Sequence, residues 1–194
     1  ESRVGMILTK DEGRIFIGLE VFHALPQSIY SNGVHVITTE LARSNPQIKD
    51  TGFIASSHDQ RKVIGRHVFE VILTKNGRFL EGMTSNFYGI KRKSIVTAKF
   101  GVLPGVTRKA VLGLAKGEGM SIEYRGLKIN ETLDEAFLTS SSRGVVPIVS
   151  IDNKAVGQGR VGRWTKMLSK AYQAYVEERS EKIVDQVAAS FSYP

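Results

Sequence analysis

The sequence contains no cysteine among its 194 residues. Disulfides, thiolate metal sites and a cysteine nucleophile are therefore excluded, and stability has to come from the burial of apolar surface. The sequence also lacks any run of about 18 apolar residues. The first residues, ESRVGMILT, have neither the basic stretch nor the apolar segment of a signal peptide. We therefore expect no membrane span, no secretion and a cytoplasmic location.

The histidines and two letter patterns are weak indicators of a site. The histidines lack the compact spacing of metal ligands and have no cysteine to join them: His23, His35, His58 and His67. Ser57-His58-Asp59 spells a catalytic triad, but adjacent residues cannot place a hydroxyl, an imidazole and a carboxylate in one hydrogen-bonded line. The GQGRVG run at 157–162 matches GxGxxG, yet it lacks the βαβ setting of a dinucleotide site. We expect no bound metal.

The formal net charge is +8, which raises the question of a nucleic-acid partner. The basic residues are scattered along the chain, and the densest group, Lys91-Arg92-Lys93, lies in a short turn between two strand-like runs. A solvated turn is the simpler explanation of that group. A nucleic-acid binder, suggested by the charge alone, is thus the weakest functional candidate. The same excess could attract a small anion carrying a phosphate or a carboxylate.

The first half of the chain changes between strand and helix patterns. Early strands are predicted over three runs, 3–9, 15–19 and 34–38. Apolar residues at helical spacing predict a helix over 53–67. The strands at 68–74 and from 78 flank Lys75-Asn76-Gly77. Asn-Gly between apolar runs predicts a hairpin, because both central residues of a type I′ turn need positive φ.

The second half starts with a short helix after Pro104-Gly105-Val106-Thr107. Thr107 is its expected N-cap and Gly117 its expected left-handed end. The remaining elements are predicted as strands at 121–129, 136–139 and 145–151, a helical turn at 130–135, and a last helix from 163 through 178 and as far as 189. Strands and helices mix irregularly, and no linker divides them. The sequence therefore predicts an α+β fold.

Two loops combine groups that can hold a phosphate. At Pro104-Gly105-Val106-Thr107, free backbone N–H groups, the helix dipole and the Thr107 hydroxyl converge on one point. The second loop, Thr139-Ser140-Ser141-Ser142-Arg143-Gly144, offers five hydrogen-bonding side chains between two apolar strands. Each loop also has a simpler interpretation. The first can be a Pro-Gly turn followed by a helix N-cap, and the second an ordinary polar loop. Together they would supply two sets of phosphate donors.

Two further residues carry possible chemistry. Lys49, in IKDTG before the first predicted helix, could form a Schiff base with an aldehyde, as any lysine with a lowered pKa could. Glu81 opens EGMTSNFYGI, where a glutamate in water at the end of a strand is the simpler interpretation. Neither residue type is specific when taken alone.

The order of these motifs is specific. Lys49, then EGMTSNFYGI, then LPGVTRKAVLGLA, then FLTSSSRGVVPIVSID with VGQGRVGRWTKML resemble the class IV aminotransferases. This is the fold-type IV pyridoxal-phosphate family of branched-chain and D-amino acid aminotransferases and aminodeoxychorismate lyase. The resemblance covers nearly all of residues 34 to 178. It implies the large C-terminal domain of that fold at 34–194, a pseudo-barrel of strands with flanking helices, and an interdomain connection with first strands at 1–33.

The resemblance also implies roles, a cofactor and an assembly. Lys49 would carry the Schiff base with pyridoxal 5′-phosphate and move the substrate proton, and Glu81 would pair with the protonated ring nitrogen. The cofactor phosphate would be held by two pairs of residues: Val106 with Thr107, and Ser141 with Ser142. The implied substrates are an amino acid and a 2-oxo acid, and the implied assembly is a homodimer.

Two departures from the family pattern bear on activity. The family has a small N-terminal domain before the point where this sequence starts, and that domain supplies an arginine for the cofactor phosphate. We therefore expect this chain to be a truncated or cleaved form, or one that has lost half of the site. Phe53 stands near a position where some relatives carry a tyrosine that hydrogen-bonds the cofactor, which disfavours branched-chain specificity.

Three functions remain open at this point. The first is an aminotransferase acting on branched-chain or D-amino acids. The second is a lyase of the aminodeoxychorismate type, which would release pyruvate and an aromatic amine. The third is a degenerate or truncated domain without catalysis.

Overall fold

The structure is a computed structural model that describes residues 2–10, 12–49, 51–65 and 67–181. Its helices are α1 (Gln27–Asn32), α2 (Gly52–Ser56), α3 (His58–Lys62), α4 (Val106–Gly117) and α5 (Arg163–Arg179). Its strands are β1 (Ser2–Leu8), β2 (Ile15–Val21), β3 (Val34–Glu40), β4 (Glu70–Lys75), β5 (Arg78–Gly82), β6 (Asn86–Lys91), β7 (Ser94–Thr97), β8 (Ser121–Tyr124), β9 (Glu135–Ser140), β10 (Gly144–Ile151) and β11 (Lys154–Ala155).

Six of the strands close into a barrel. β3 lies between β4 and β10, and the ring continues from β4 through β5 and β6 to β9, which pairs again with β10. β3 runs parallel to both of its neighbours, and the other pairs of the ring are antiparallel. β7 and β8 extend the sheet beyond β6, and β11 extends it beyond β10. The arrangement confirms the α+β class and the pseudo-barrel.

Two hydrophobic clusters lie on opposite faces of these strands, because successive side chains of a strand point to opposite sides. The barrel interior takes a buried residue from every strand of the ring: Val36, Ile72, Phe79, Phe87, Leu138 and Val146. The second cluster lies between the barrel and the two long helices. There Tyr88 and Phe137 stack with ring centroids 4.5 Å apart and pack with Val111 of α4 and Leu168 of α5.

Tyr88 makes the barrel sensitive to alkali. Its hydroxyl lies 2.9 Å from the Thr139 hydroxyl, and burial raises the pKa of Tyr88 from 10.0 to about 12. Between pH 10 and 12 the unfolded chain loses this proton while the folded chain keeps it, so stability falls as pH rises through that window. Between pH 10 and pH 12 we expect the free energy of unfolding of the wild-type protein to fall by about 3 kcal/mol more than that of Tyr88→Phe. Urea unfolding of both proteins at pH 10 and at pH 12 measures this difference. An equal loss in both proteins would contradict the assignment.

The long helices begin differently from the expectation. The N-cap of α4 is Gly105 rather than Thr107, which is the second residue of the helix and is buried. The helix ends at Gly117, and the left-handed residue is Gly119, at φ 68°. The Glu135 carboxylate caps α5 from β9 and accepts hydrogen bonds from the amides of Trp164 and Thr165, at 3.1 and 2.7 Å. The start of α5 is thereby tied to the barrel.

Other local predictions have mixed outcomes. The β4–β5 hairpin is confirmed, with Asn76 and Gly77 at φ 52° and 68°. The single helix over 53–67 is wrong, because α2 and α3 are separate short helices. The helical turn over 130–135 is also wrong: the stretch up to Asp134 is irregular, and Glu135 already belongs to β9. The last helix is confirmed through 178, but it ends at Arg179, so its continuation through Ser180 and Glu181 is wrong. The rest of the predicted extension, 182–189, lies outside the described residues.

β1 and β2 form a separate antiparallel hairpin. Its register places one set of apolar side chains on a single face, and each of them is more than half exposed: Val4, Met6, Leu8, Ile15, Ile17, Leu19 and Val21. The opposite face carries the ion pair between Arg3 and Glu20, at 3.2 Å. Across the described residues, no helix combines the length and the apolar character that a membrane crossing needs.

Candidate active site

Glu81 is the buried charge at the centre of the candidate site. It lies near the end of β5 and is 1% exposed. Its Oε2 accepts hydrogen bonds from the Leu103 amide at 2.8 Å and from the Asn86 side-chain amide at 3.2 Å. Its Oε1 accepts one from Arg43 Nε at 2.8 Å. The interpretation as a solvated strand-end glutamate is therefore wrong.

Burial raises the pKa of Glu81 above its ordinary carboxyl value, while the Leu103 amide and Arg43 act in the opposite direction. A carboxylate has about four lone-pair positions, and the contacts above use three of them. The remaining position is on Oε1, beside Arg43. Glu81 can thus accept one further donor without giving up a partner.

Arg43 is the residue of this site that sequence reasoning missed. Its Nη2 donates to the Met83 carbonyl at 2.7 Å, and its guanidinium lies 3.8 Å from the centre of the Phe53 ring. Phe53 is therefore part of the site as a stacking platform for Arg43, whatever a tyrosine does at that position in relatives. The signal that could have found Arg43 is weak: one arginine in an irregular stretch, 38 residues before its partner.

Lys49 lies between these two contacts along the chain. It belongs to the irregular segment between β3 and α2, and it is exposed. No described residue makes a hydrogen bond or an ion pair with it. The segment leaves the Glu81 region at Arg43 and returns to it at Phe53. Both ends of the Lys49 loop are thus fixed beside the buried carboxylate, although the lysine itself points into solvent.

The start of α4 is the expected anion-binding feature. The first three amides of the helix, those of Val106, Thr107 and Arg108, have no acceptor among the described residues. Val106 is 79% exposed while Thr107 and Arg108 are buried, so the helix start is open to a ligand at its first residue. The Leu103 amide donates to Glu81, and the first of these three helix amides, that of Val106, follows Leu103 by three residues. The helix start and the buried carboxylate are therefore connected by a short stretch of chain.

The turn between β9 and β10 carries the other predicted residues. Ser141 is exposed and Ser142 is half-buried, and neither hydroxyl has a partner among the described residues. Tyr172 of α5 connects this turn to α4. Its hydroxyl lies 3.3 Å from Thr107 Oγ1, and its ring lies so close to Gly144 that a side chain there would make a tight contact with it, at 3.3 Å. The two predicted loops therefore lie on either side of one tyrosine.

A second buried carboxylate joins that turn to the loop after Glu81. Glu70 is 1% exposed, and its Oε2 accepts hydrogen bonds from Thr84 at 2.7 Å and from Arg143 Nη2 at 3.1 Å. Arg143 also donates from Nε to Ser140 at 3.0 Å. Gly82 is confined by this cluster, since a side chain there would collide with Ser85 and approach Glu70. That packing explains why a glycine stands after Glu81, without any reference to a bound ligand.

These observations fit a ligand with a phosphate group and a ring nitrogen. The helix amides and serine hydroxyls that lack a partner in the described part of the chain suit the phosphate, and the unused lone-pair position on Glu81 suits a protonated nitrogen. The donor set therefore matches pyridoxal 5′-phosphate.

The chain matches the family described as amino-transferase class IV over residues 5–151, and it belongs to that family. It is 32% identical to the D-alanine aminotransferase of Bacillus licheniformis over 164 residues, which is 82% of this chain and 58% of that protein. It is 29% identical to a probable branched-chain-amino-acid aminotransferase of Thermotoga maritima over 194 residues, covering 95% of this chain and 69% of that protein. The chain thus spans less than three fifths of the Bacillus enzyme.

Solved structures agree at the level of the fold. The crystal structure of a proposed branched-chain amino acid aminotransferase from Thermotoga maritima superposes with a TM-score of 0.79 at 26% identity, covering 94% of this chain and 68% of that chain. The branched-chain enzyme of Thermobaculum terrenum, solved in its pyridoxal-phosphate form, superposes with a TM-score of 0.73 at 24% identity, over 86% of this chain and 57% of that chain. Pyridoxal 5′-phosphate is the cofactor that the family indicates.

Proposed function

We propose that this chain binds pyridoxal 5′-phosphate through Lys49. We propose further that it contributes this cofactor site to an aminotransferase that acts on a branched-chain or D-amino acid and a 2-oxo acid. The observation that carries the proposal is the buried Glu81 carboxylate, hydrogen-bonded to Leu103 just before the open start of α4. Few ligands need a buried carboxylate and a phosphate-binding helix start so close together. Membership of the class IV family supports the same reaction type.

The cofactor, when bound, supplies an aldehyde for a covalent bond to an amine and a ring that accepts the electrons released at the substrate α-carbon. Lys49 holds it covalently and moves the α-proton. Glu81 keeps a proton on the ring nitrogen, with Arg43 holding Glu81 in place. The amides of Val106 and Thr107 bind the phosphate.

Ser141 and Ser142 complete the phosphate site from the other side of Tyr172. Reaching the cofactor requires Lys49 to turn inward from its exposed position. The fixed ends of its loop, at Arg43 and Phe53, support such a local movement because the described residues between them are few and mostly exposed. The proposal includes a homodimer as the assembly, as the family resemblance implies.

A half-reaction tests the proposed function. We expect the protein loaded with pyridoxal phosphate to convert it to pyridoxamine phosphate on addition of D-alanine or L-leucine, measured by absorbance and by chromatography of the released cofactor. Cofactor shown to be bound, without any conversion by either amino acid, would count against an aminotransferase. Release of pyruvate from aminodeoxychorismate would instead indicate the lyase.

A further inference from the structure

We propose that Arg143 is a substrate-binding residue that receives a carboxylate of the amino acid and of the 2-oxo acid. The inference rests on the proposed function, because it assigns the substrate site of that same reaction. Three observations support it: a cavity next to Ser142, the hydrogen bonds that fix the Arg143 side chain, and the N–H donors of Arg143 that those hydrogen bonds do not use.

The cavity has a volume of about 300 Å³ and lies between the end of β2 and the turn after β9. Phe22 and Leu25 supply apolar lining, and His23 follows Phe22 along the same wall. Ser142 and Arg143 line the side formed by the turn. The ion-paired Arg3 and Glu20 line the cavity as well. The cavity thus combines apolar surface and an ion pair with the Arg143 cation, beside one of the serines proposed to bind the cofactor phosphate.

Arg143 is fixed before any ligand arrives. Nε and Nη2 donate to Ser140, Thr84 and Glu70, and the backbone carbonyl of Arg143 accepts the Tyr30 hydroxyl at 2.9 Å. The guanidinium also lies 5.4 Å from the centre of the Phe69 ring. A side chain held in this way loses little conformational entropy when it binds a ligand.

The fixed guanidinium keeps part of its hydrogen-bonding capacity. A guanidinium has five N–H donors, and Nη1 of Arg143 has no acceptor among the described residues. The side chain is 19% exposed, so it can be reached from the cavity. Arg3, the other cation that lines the cavity, is different, because it pairs with Glu20 and its side chain is 59% exposed. A planar carboxylate is the group that arginine donors bind best.

The substrates of the proposed reaction carry such a carboxylate. Both an amino acid and a 2-oxo acid carry a carboxylate next to the carbon that reacts. A dicarboxylic substrate would carry a second one on its side chain. Either would be recognised by the same donors, and the apolar wall at Phe22 and Leu25 would take the rest of a branched-chain substrate.

Equilibrium binding to the full chain tests the proposal without turnover. The probes are 4-methylpentanoate, its neutral amide and pentanedioate, titrated by NMR into wild type and into Arg143→Gln, Arg143→Lys and Arg3→Gln, with pyridoxamine phosphate added. We expect wild type to bind the acid about tenfold or more tightly than the amide, as a charge-assisted hydrogen bond provides. Arg143→Gln should lose that preference, Arg143→Lys should keep part of it, and Arg3→Gln should keep it.

The ratio of the acid and amide affinities separates binding from folding. Loss of the Glu70 partner can loosen the turn, which weakens both probes equally and leaves their ratio unchanged; that result would overturn the proposal. If Arg143→Gln does not fold, Arg143→Lys decides, since an unchanged ratio there also contradicts the assignment. A preference for pentanedioate that depends on Arg143 assigns the site to a side-chain carboxylate, and a preference for 4-methylpentanoate assigns it to the α-carboxylate.

Cofactor binding is measured on the same samples. Wild type that binds pyridoxamine phosphate but shows no preference for the acid contradicts the Arg143 site alone. Wild type that keeps the preference without binding any cofactor contradicts the proposed function and leaves a carboxylate site at Arg143.

Discussion

Replacing Lys49 by alanine is expected to lower amino-group transfer by about a hundred- to ten-thousandfold, the range that a positioned acid–base group contributes. The covalent attachment of the cofactor is lost with the same side chain. Because Lys49 is exposed and has no partner among the described residues, the free energy of unfolding should change by no more than about 0.5 kcal/mol. Single-turnover rates and urea unfolding, measured on the same preparation, check both parts.

Two further variants show whether chemistry or charge is responsible. Lys49→Arg keeps the positive charge but cannot attach the aldehyde, so we expect the same loss of transfer. Lys62→Ala removes another exposed lysine, whose one ion-pair partner in the described part of the chain is Asp59, and should leave transfer unchanged. Normal transfer in Lys49→Ala, or an equal loss in Lys62→Ala, would contradict the role of Lys49.

Replacing Glu81 has the second large effect, and it acts on both stability and chemistry. Glu81→Gln leaves the Arg43 guanidinium, whose side chain is 10% exposed, without its counter-charge. Breaking one partner of a buried ion pair costs about 3–5 kcal/mol of unfolding free energy. Because Glu81 is the proposed partner of the cofactor's ring nitrogen, loss of its charge should also lower amino-group transfer, by a factor of about ten to a hundred.

A double variant separates the two effects of Glu81. Replacing Glu81 and Arg43 together by methionine removes both charges, so we expect most of the lost stability to return while transfer stays low. Glu135→Gln is the matched control, since it alters a buried carboxylate that caps α5 rather than one at the site. Its unfolding free energy should fall with little change in cofactor affinity. Recovery of transfer in the double variant would show that Glu81 has a structural role only.

The sequence was most informative where local geometry determines the outcome. Asn76-Gly77 predicts its hairpin because few other residues accept two positive φ angles in succession. The order of Lys49, Glu81 and the two predicted phosphate-binding loops was enough to indicate the family, since that order requires no knowledge of contacts. The error at Thr107 is of another kind: Gly105 and Thr107 both suit a helix start, and packing against Asn86 and Tyr172 decides between them.

The contacts that complete the site depend on distant parts of the chain. Glu81 reads as a surface residue until Arg43 and Leu103, 38 and 22 residues away, are folded onto it. The sequence did contain a signal at Glu70, which lies inside the apolar run FEVIL. A buried carboxylate needs a hydrogen-bonding or charged partner, because burying it without one costs folding free energy. Its partner Arg143 lies 73 residues away, and only the closed barrel brings the two together.

The most direct test of the account is chemical labelling of the cofactor attachment site. The protein is incubated with pyridoxal phosphate, reduced with borohydride and digested, and the labelled peptide is identified by mass spectrometry. The account predicts one stoichiometric label on Lys49, reduced strongly in Glu81→Gln and absent in Lys49→Ala. A label spread over the exposed lysines, a single label elsewhere, or no label would contradict it.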